Sequence, residues 1–269
     1  MDLALSAATF GPSWSTDALL RQAAVIGTSG VELVLEERSP LTFESTEPQC
    51  RQLAAQVKES KLRLAAVAML LAPGSLASEG ASTRKLIGAA LRRTGWLGAP
   101  CLCLLPAASA DESSRPAGSP DYACQQAREA LLELRHEAED CGVVLGLACF
   151  GLGLSNSPTE LREFLDELIT PWIGACLNLD DPGATTQVSD WIRTLAPRIQ
   201  SVRISASAQA PDPVAVVSSL SGIAYSGSCV LVATGARDLK QWIERLRAAG
   251  MQPHNFATKS PIDDLATND

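Results

Sequence analysis

Glu139-Asp140-Cys141-Gly142-Val143-Val144-Leu145-Gly146-Leu147-Ala148-Cys149-Phe150 carries the chain from the end of a helix straight into a strand. Upstream, Ala127, Ala130, Leu131, Leu134 and Ala138 recur at helical spacing and give residues 121–141 a single apolar stripe. The run at about 143–149 has the length of a buried strand. Ser157-Pro158-Thr159-Glu160 then opens another helix to about 169. The same alternation extends in both directions from this passage.

Toward the amino terminus, strands are expected at about 2–7, from Gly30 to Glu36, within Leu62 to Leu71, and from Pro100 to Pro106. Helices separate them: Asp17 to Ile26 behind the capping pair Ser15-Thr16, about 47–60 with Pro48 near its start, and about 79–97. Toward the carboxyl terminus, strands fall at Ile173 to Leu179, Ile199 to Ser205 and Ser228 to Ala233. Their helices fall at about 185–196, Pro213 to Leu220 and Arg237 to Ala249. Ala107 to Pro120 is small, polar and rich in proline and glycine. It reads as an exposed loop and not a domain boundary, because the rhythm resumes beyond it. Parallel neighbours need a helical crossover, so eight strand–helix units predict a parallel α/β sheet. At 269 residues the expected closure is a (β/α)8 TIM barrel, one domain spanning 1–269. On the pattern alone, an open doubly wound sheet is the alternative.

Composition narrows the partners. The net charge of −8 argues against nucleic acid and anionic membrane surfaces. No apolar run reaches the length of a bilayer span, and the amino terminus lacks the features of a secretion signal, so the expected location is cytoplasmic. Eight cysteines are scattered without a Cys-x-x-Cys pair, and only two histidines, His136 and His254, are present. These thiols are expected to be free and buried, behaving as small hydrophobes. Strand alternation puts Cys101 and Cys103 on one face, turns Cys176 inward and Cys149 outward, and does not by itself assemble a thiol metal site.

Four segments carry a resemblance: Gly27-Thr28-Ser29-Gly30-Val31-Glu32-Leu33, Leu97-Gly98-Ala99-Pro100, Glu139 to Leu147, and Cys176-Leu177-Asn178. In this order, from about residue 3 to residue 264, the chain resembles the xylose isomerase-like sugar phosphate isomerase/epimerase family. The resemblance implies the TIM barrel. It also implies a divalent cation such as manganese, magnesium or cobalt at the carboxyl ends of the strands. In that family the cation is held by a glutamate after strand five, an aspartate after strand six, a histidine after strand seven and a glutamate ending strand eight. Carried over residue by residue, these positions fall on Ala148, Asn178, Arg203 or its neighbour, and Ala233, while the histidine that usually follows the strand-six aspartate falls on Asp181. No carboxylate lies between Cys141 and Pro158 or between Leu220 and Arg237, so no small shift of register restores the two glutamates. The expectation is therefore a barrel without the family's metal and without another cofactor.

The candidate ligand-binding residues are Trp14, Glu32, Asn178, Asp180, Asp181 and Arg203; no catalytic residue is assigned. Arg203 either grips a carboxylate or phosphate, or pairs with Asp180 or Asp181 and fills space. Asn178, Asp180 and Asp181 either form a weak acidic site or lead into the Asp180-Asp181-Pro182-Gly183 turn. Glu32 either faces a ligand or pairs with a basic neighbour. Trp14 either stacks on a sugar ring or caps the barrel. Three functional readings compete. One is a degenerate family member that binds a small sugar-like or anionic ligand or a protein. Another is an isomerase or epimerase working through a rebuilt, metal-free site. The third is an assembly role, with the oligomeric state open.

Overall fold

The alternation of the sequence becomes an alternation of strand and helix around a closed ring. The computed structural model describes residues 1–72, 75–78, 80–107, 120–148, 157–179, 188–206, 211–233 and 236–250. Eight parallel strands pair in sequence order and the last pairs with the first. They are β1 Asp2–Ser6, β2 Gly30–Leu35, β3 Arg63–Leu71, β4 Cys101–Pro106, β5 Val144–Ala148, β6 Ile173–Asn178, β7 Ile199–Ser205 and β8 Ser228–Val232. Each is followed by its helix: α1 Thr16–Ile26, α2 Glu47–Glu59, α3 Gly80–Leu97, α4 Pro120–Cys141, α5 Pro158–Glu167, α6 Val188–Leu195, α7 Pro213–Gly222 and α8 Ala236–Ala248. A short helical turn, Ser75–Ser78, precedes α3. The closed barrel, and not the open doubly wound sheet, is the architecture.

Local chemistry explains the joints. The Ser15 hydroxyl accepts from Ala18 N at the start of α1, and Gly27 ends it in the left-handed region at φ 72°, which a glycine adopts without steric cost. Thr46 and Gln49 form a capping box on α2 that brackets Pro48 in the first turn. β1 stops at Ser6, one residue short of the expected end, because residues 7–10 wind into a 3-10 turn capped by the Ser6 hydroxyl. The loop expected at 107–120 lies almost wholly outside the described residues. No helix among the described residues is long and apolar enough to cross a membrane.

The barrel separates large from small side chains. On the outward face, under the helices, sit Leu3 and Leu5, Leu33, Val67 and Met69, Leu102 and Leu104, Leu145 and Leu147, and Val202 and Ile204, all buried. Register and alternation place Ala4 and Ser6, Ala66 and Ala68, Cys101 and Cys103, Gly146 and Ala148, and Cys176 and Ser201 on the inward face. Barrel interiors are commonly filled by layers of bulky branched residues. Here small residues predominate in the interior, with Val34, Leu70 and Val230 among the exceptions, which leaves volume at the centre for two long charged side chains.

Candidate functional site

Glu32, in the middle of β2, is 0% exposed, and Arg203 of β7 is 6% exposed. Across the lumen the Arg203 Nη1 donates to Glu32 Oε1 in an ion pair. The Ser6 hydroxyl donates to the same oxygen at 2.7 Å. A register shift against β3 falls at Val31/Glu32, and another between β6 and β7 falls at Ala175/Cys176, opposite Ile199 and Ser201. Burial pushes the Glu32 carboxyl up, and the guanidinium and the Ser6 hydroxyl pull it back part of the way. Burial also works against the charge on Arg203, but Glu32 and the nearby thiols of Cys176 and Cys103 more than offset this and hold it protonated.

The Ser201 hydroxyl is engaged with the Cys103 thiol, whereas Glu32 Oε2, Arg203 Nε and Asn178 Oδ1 have no hydrogen-bond partner among the described residues. Ser201 lies two residues before Arg203 on the same face, and Asn178 is the register partner of Arg203 on β6. Buried polar atoms are nearly always satisfied, so these three single out the surroundings of the ion pair as the candidate site. Asn178 is only half-buried, and Leu70, inward-facing near the end of β3, is 47% exposed.

Below the pair, three thiols meet. Cys101 and Cys103 Sγ lie 3.7 Å apart, and a Cβ on Gly146 would stand 3.1 Å from Cys101 Sγ, 3.7 Å from Cys103 Sγ and 3.3 Å from Cys176 Cβ. Alternation alone did not anticipate this convergence. Gly146, on the strand between them, has no side chain, which leaves room for the thiols of β4 and β6 to meet over β5. Hydrogen bonds from Cys101 and Cys176 draw the Cys103 thiol down, and Arg203 adds to the effect.

The other candidates divide. Trp14 is 3% exposed and its Nε1 donates to the Val34 carbonyl at 3.3 Å, so it packs in the core above β2. Asp180, Asp181, Cys149 and His254 lie outside the described residues. Among the described residues, Arg203 takes Glu32 as its carboxylate. Ala148 is a buried methyl group at the end of β5, and Ala233 is another immediately after β8. Arg84 bridges Glu133 on α4 at 2.8 Å, and the Arg93 guanidinium stands 5.7 Å from the Trp96 ring, both away from the lumen. Sequence reasoning passed over Glu36. It is half-buried just beyond β2, its Oε2 is enclosed without a partner, and burial raises its carboxyl above the usual range. Its position two residues after inward-facing Val34 was the available signal.

Comparison with known proteins agrees with this frame. The sequence matches the xylose isomerase-like TIM barrel family over residues 20–257. No curated protein matches it by sequence. Among solved structures it resembles a D-psicose 3-epimerase determined in the presence of D-fructose, at 14% identity over 93% of this chain and 96% of that one, with a TM-score of 0.71. A 3-keto-D-glucoside 4-epimerase from E. coli in its apo form gives 14% identity, coverage of 93% and 98%, and a TM-score of 0.72. A D-allulose 3-epimerase from Methylomonas sp. in complex with D-allulose gives 17%, 98% and 96%, and 0.70. At these identities the structural likeness speaks for the fold. With the family match spanning most of a closed eight-stranded parallel barrel, this chain belongs to the xylose isomerase-like TIM barrel family.

Proposed function

We infer that this chain is a ligand-binding barrel that does not use the family's divalent cation, and that its ligand is a small sugar-like molecule carrying an anionic group. The observation that carries the reading is Arg203, whose guanidinium stands in the lumen at the strand-seven position, paired with Glu32. The donor set supports it. A hard cation seeks carboxylate oxygens, whereas the corresponding strand ends offer the methyls of Ala148 and Ala233, the amide of Asn178 and a fixed positive charge. A cation there would face Arg203 at close range with no carboxylate from β5 or β8. The described residues at these strand ends do not fit the metal.

The test is calorimetric titration of gluconate, inorganic phosphate and the neutral sugar fructose into the wild-type chain and Arg203→Met. Charge-assisted hydrogen bonds contribute about 1.5–3 kcal/mol each, so the variant should weaken anion binding by roughly 10- to 100-fold. Equal binding of all three compounds by both chains would remove Arg203 from the site.

One observation favours a second reading, an enzyme with a rebuilt site. Glu36 offers an unpartnered carboxyl oxygen with a raised proton affinity at the catalytic end of the barrel, the profile of a general acid or base. Under that reading Glu36→Gln abolishes hydrogen–deuterium exchange at a carbon next to a sugar carbonyl, followed by NMR. Under the binding reading no such exchange occurs with either chain.

A further inference from the structure

The ion pair has a consequence for any anion that reaches Arg203. Before binding, the buried pair is neutral: one guanidinium and one carboxylate. An anion entering alone would leave a net negative charge in a low-dielectric interior, which is costly. A proton entering with it keeps the site neutral. Glu32 is where that proton fits. Its Oε2 is the one unpartnered oxygen of the pair, and it becomes a donor when protonated. The other two orphans can also present a hydrogen to the same guest: Arg203 Nε–H, and the Asn178 amide turned over.

We propose that the lumen binds a small oxyanion, carboxylate or phosphate, together with one proton taken from solvent onto Glu32. The proposal rests on the ligand-binding reading above and adds its proton. The anion's oxygens take the hydrogen bond of Arg203 Nε and compete with Glu32 for the guanidinium, and Glu32, neutralised, donates to the guest. Glu32 faces Ser6 from β1, Cys101 and Cys103 from β4 and Arg203 from β7, and β3 presents only alanines at this level. Arg203 is the only cation among these groups, so competition for it controls the titration. The raised proton affinity that burial gives Glu32 accords with this role.

The sign follows from linkage. Where Glu32 is ionised in the free protein and protonated in the complex, Kd for the anion rises about tenfold per pH unit. The experiment is titration calorimetry of gluconate, which does not itself titrate near neutral pH, into the wild-type chain in buffers of different ionisation enthalpy. The expected result is uptake of one proton per gluconate and weaker binding as pH rises. Glu32→Gln, with its fold checked by circular dichroism, should bind gluconate with no proton uptake and no dependence on pH. Gluconate bound without proton uptake overturns the proposal and leaves the ligand-binding reading standing. Proton uptake that persists in Glu32→Gln also overturns it, because the proton then lies elsewhere. If neither gluconate nor phosphate binds, both fail. The wild-type proton count needs no variant, so it decides the matter if Glu32→Gln does not fold.

Discussion

Arg203→Met should lower the free energy of unfolding by about 3–5 kcal/mol, because it strands the Glu32 carboxylate in the core of the barrel. For a chain of this size each kcal/mol moves Tm by about 2–4 °C, so the loss is readable by calorimetry or denaturant titration. The double variant Glu32→Leu with Arg203→Met should recover most of it, since an apolar pair of similar volume needs no partner. Acid should soften the single variant's defect. Glu32 already has its proton affinity raised above the ordinary 4.5 by burial, and removing the guanidinium raises it further. A carboxyl whose folded value is raised costs stability above that value. The cost recedes as pH falls toward 4.5, where the unfolded chain also takes the proton. A single variant as stable as wild type at neutral pH would mean that the pair does not hold the centre of the barrel.

Gly146→Val is the second large effect. The position faces the lumen between the thiols, and a Cβ there would already stand 3.1 Å from Cys101 Sγ and 3.3 Å from Cys176 Cβ. The two further methyls of valine must displace sulfur or spread β4 from β6, at about 1–3 kcal/mol of overpacking. The strain falls just beneath Arg203 and Glu32, so anion binding should weaken together with stability. Gly146→Ala should be milder on both counts. Urea denaturation with gluconate titration on the same samples checks it. A valine variant with unchanged stability and affinity would show that the thiols are not packed against the strand.

The ring of strands was legible because its signal is local. Each strand–helix unit announces itself within about 30 residues through periodicity and capping. Cys101-Leu102-Cys103-Leu104 and Val144-Leu145-Gly146-Leu147-Ala148 also carry the sorting of small from large side chains in plain alternation. That pattern could have foretold a lumen lined with small residues. The partner of Arg203 could not be read in this way. Glu32 lies 171 positions away, and the two meet only because β2 and β7 look across the same narrow interior. Asp180 and Asp181, the acids next in sequence to the adjacent strand, lie outside the described residues, and nothing local in the sequence points from Arg203 to β2. Trp14 had two readings, and its indole hydrogen bond to Val34 belongs to packing. Glu36 was invisible as a site because its interest is an unpartnered, enclosed oxygen, a property of the fold and not of a motif.

The measurement closest to the central claim is equilibrium dialysis of the purified chain against manganese, cobalt and magnesium, with the melting temperature recorded in each. The expected result is no stoichiometric uptake and no shift in melting. A single bound ion per chain, accompanied by a stabilisation of several degrees that disappears in Asp181→Ala, would place a cation in the lumen and contradict the assignment of that space to Arg203 and Glu32.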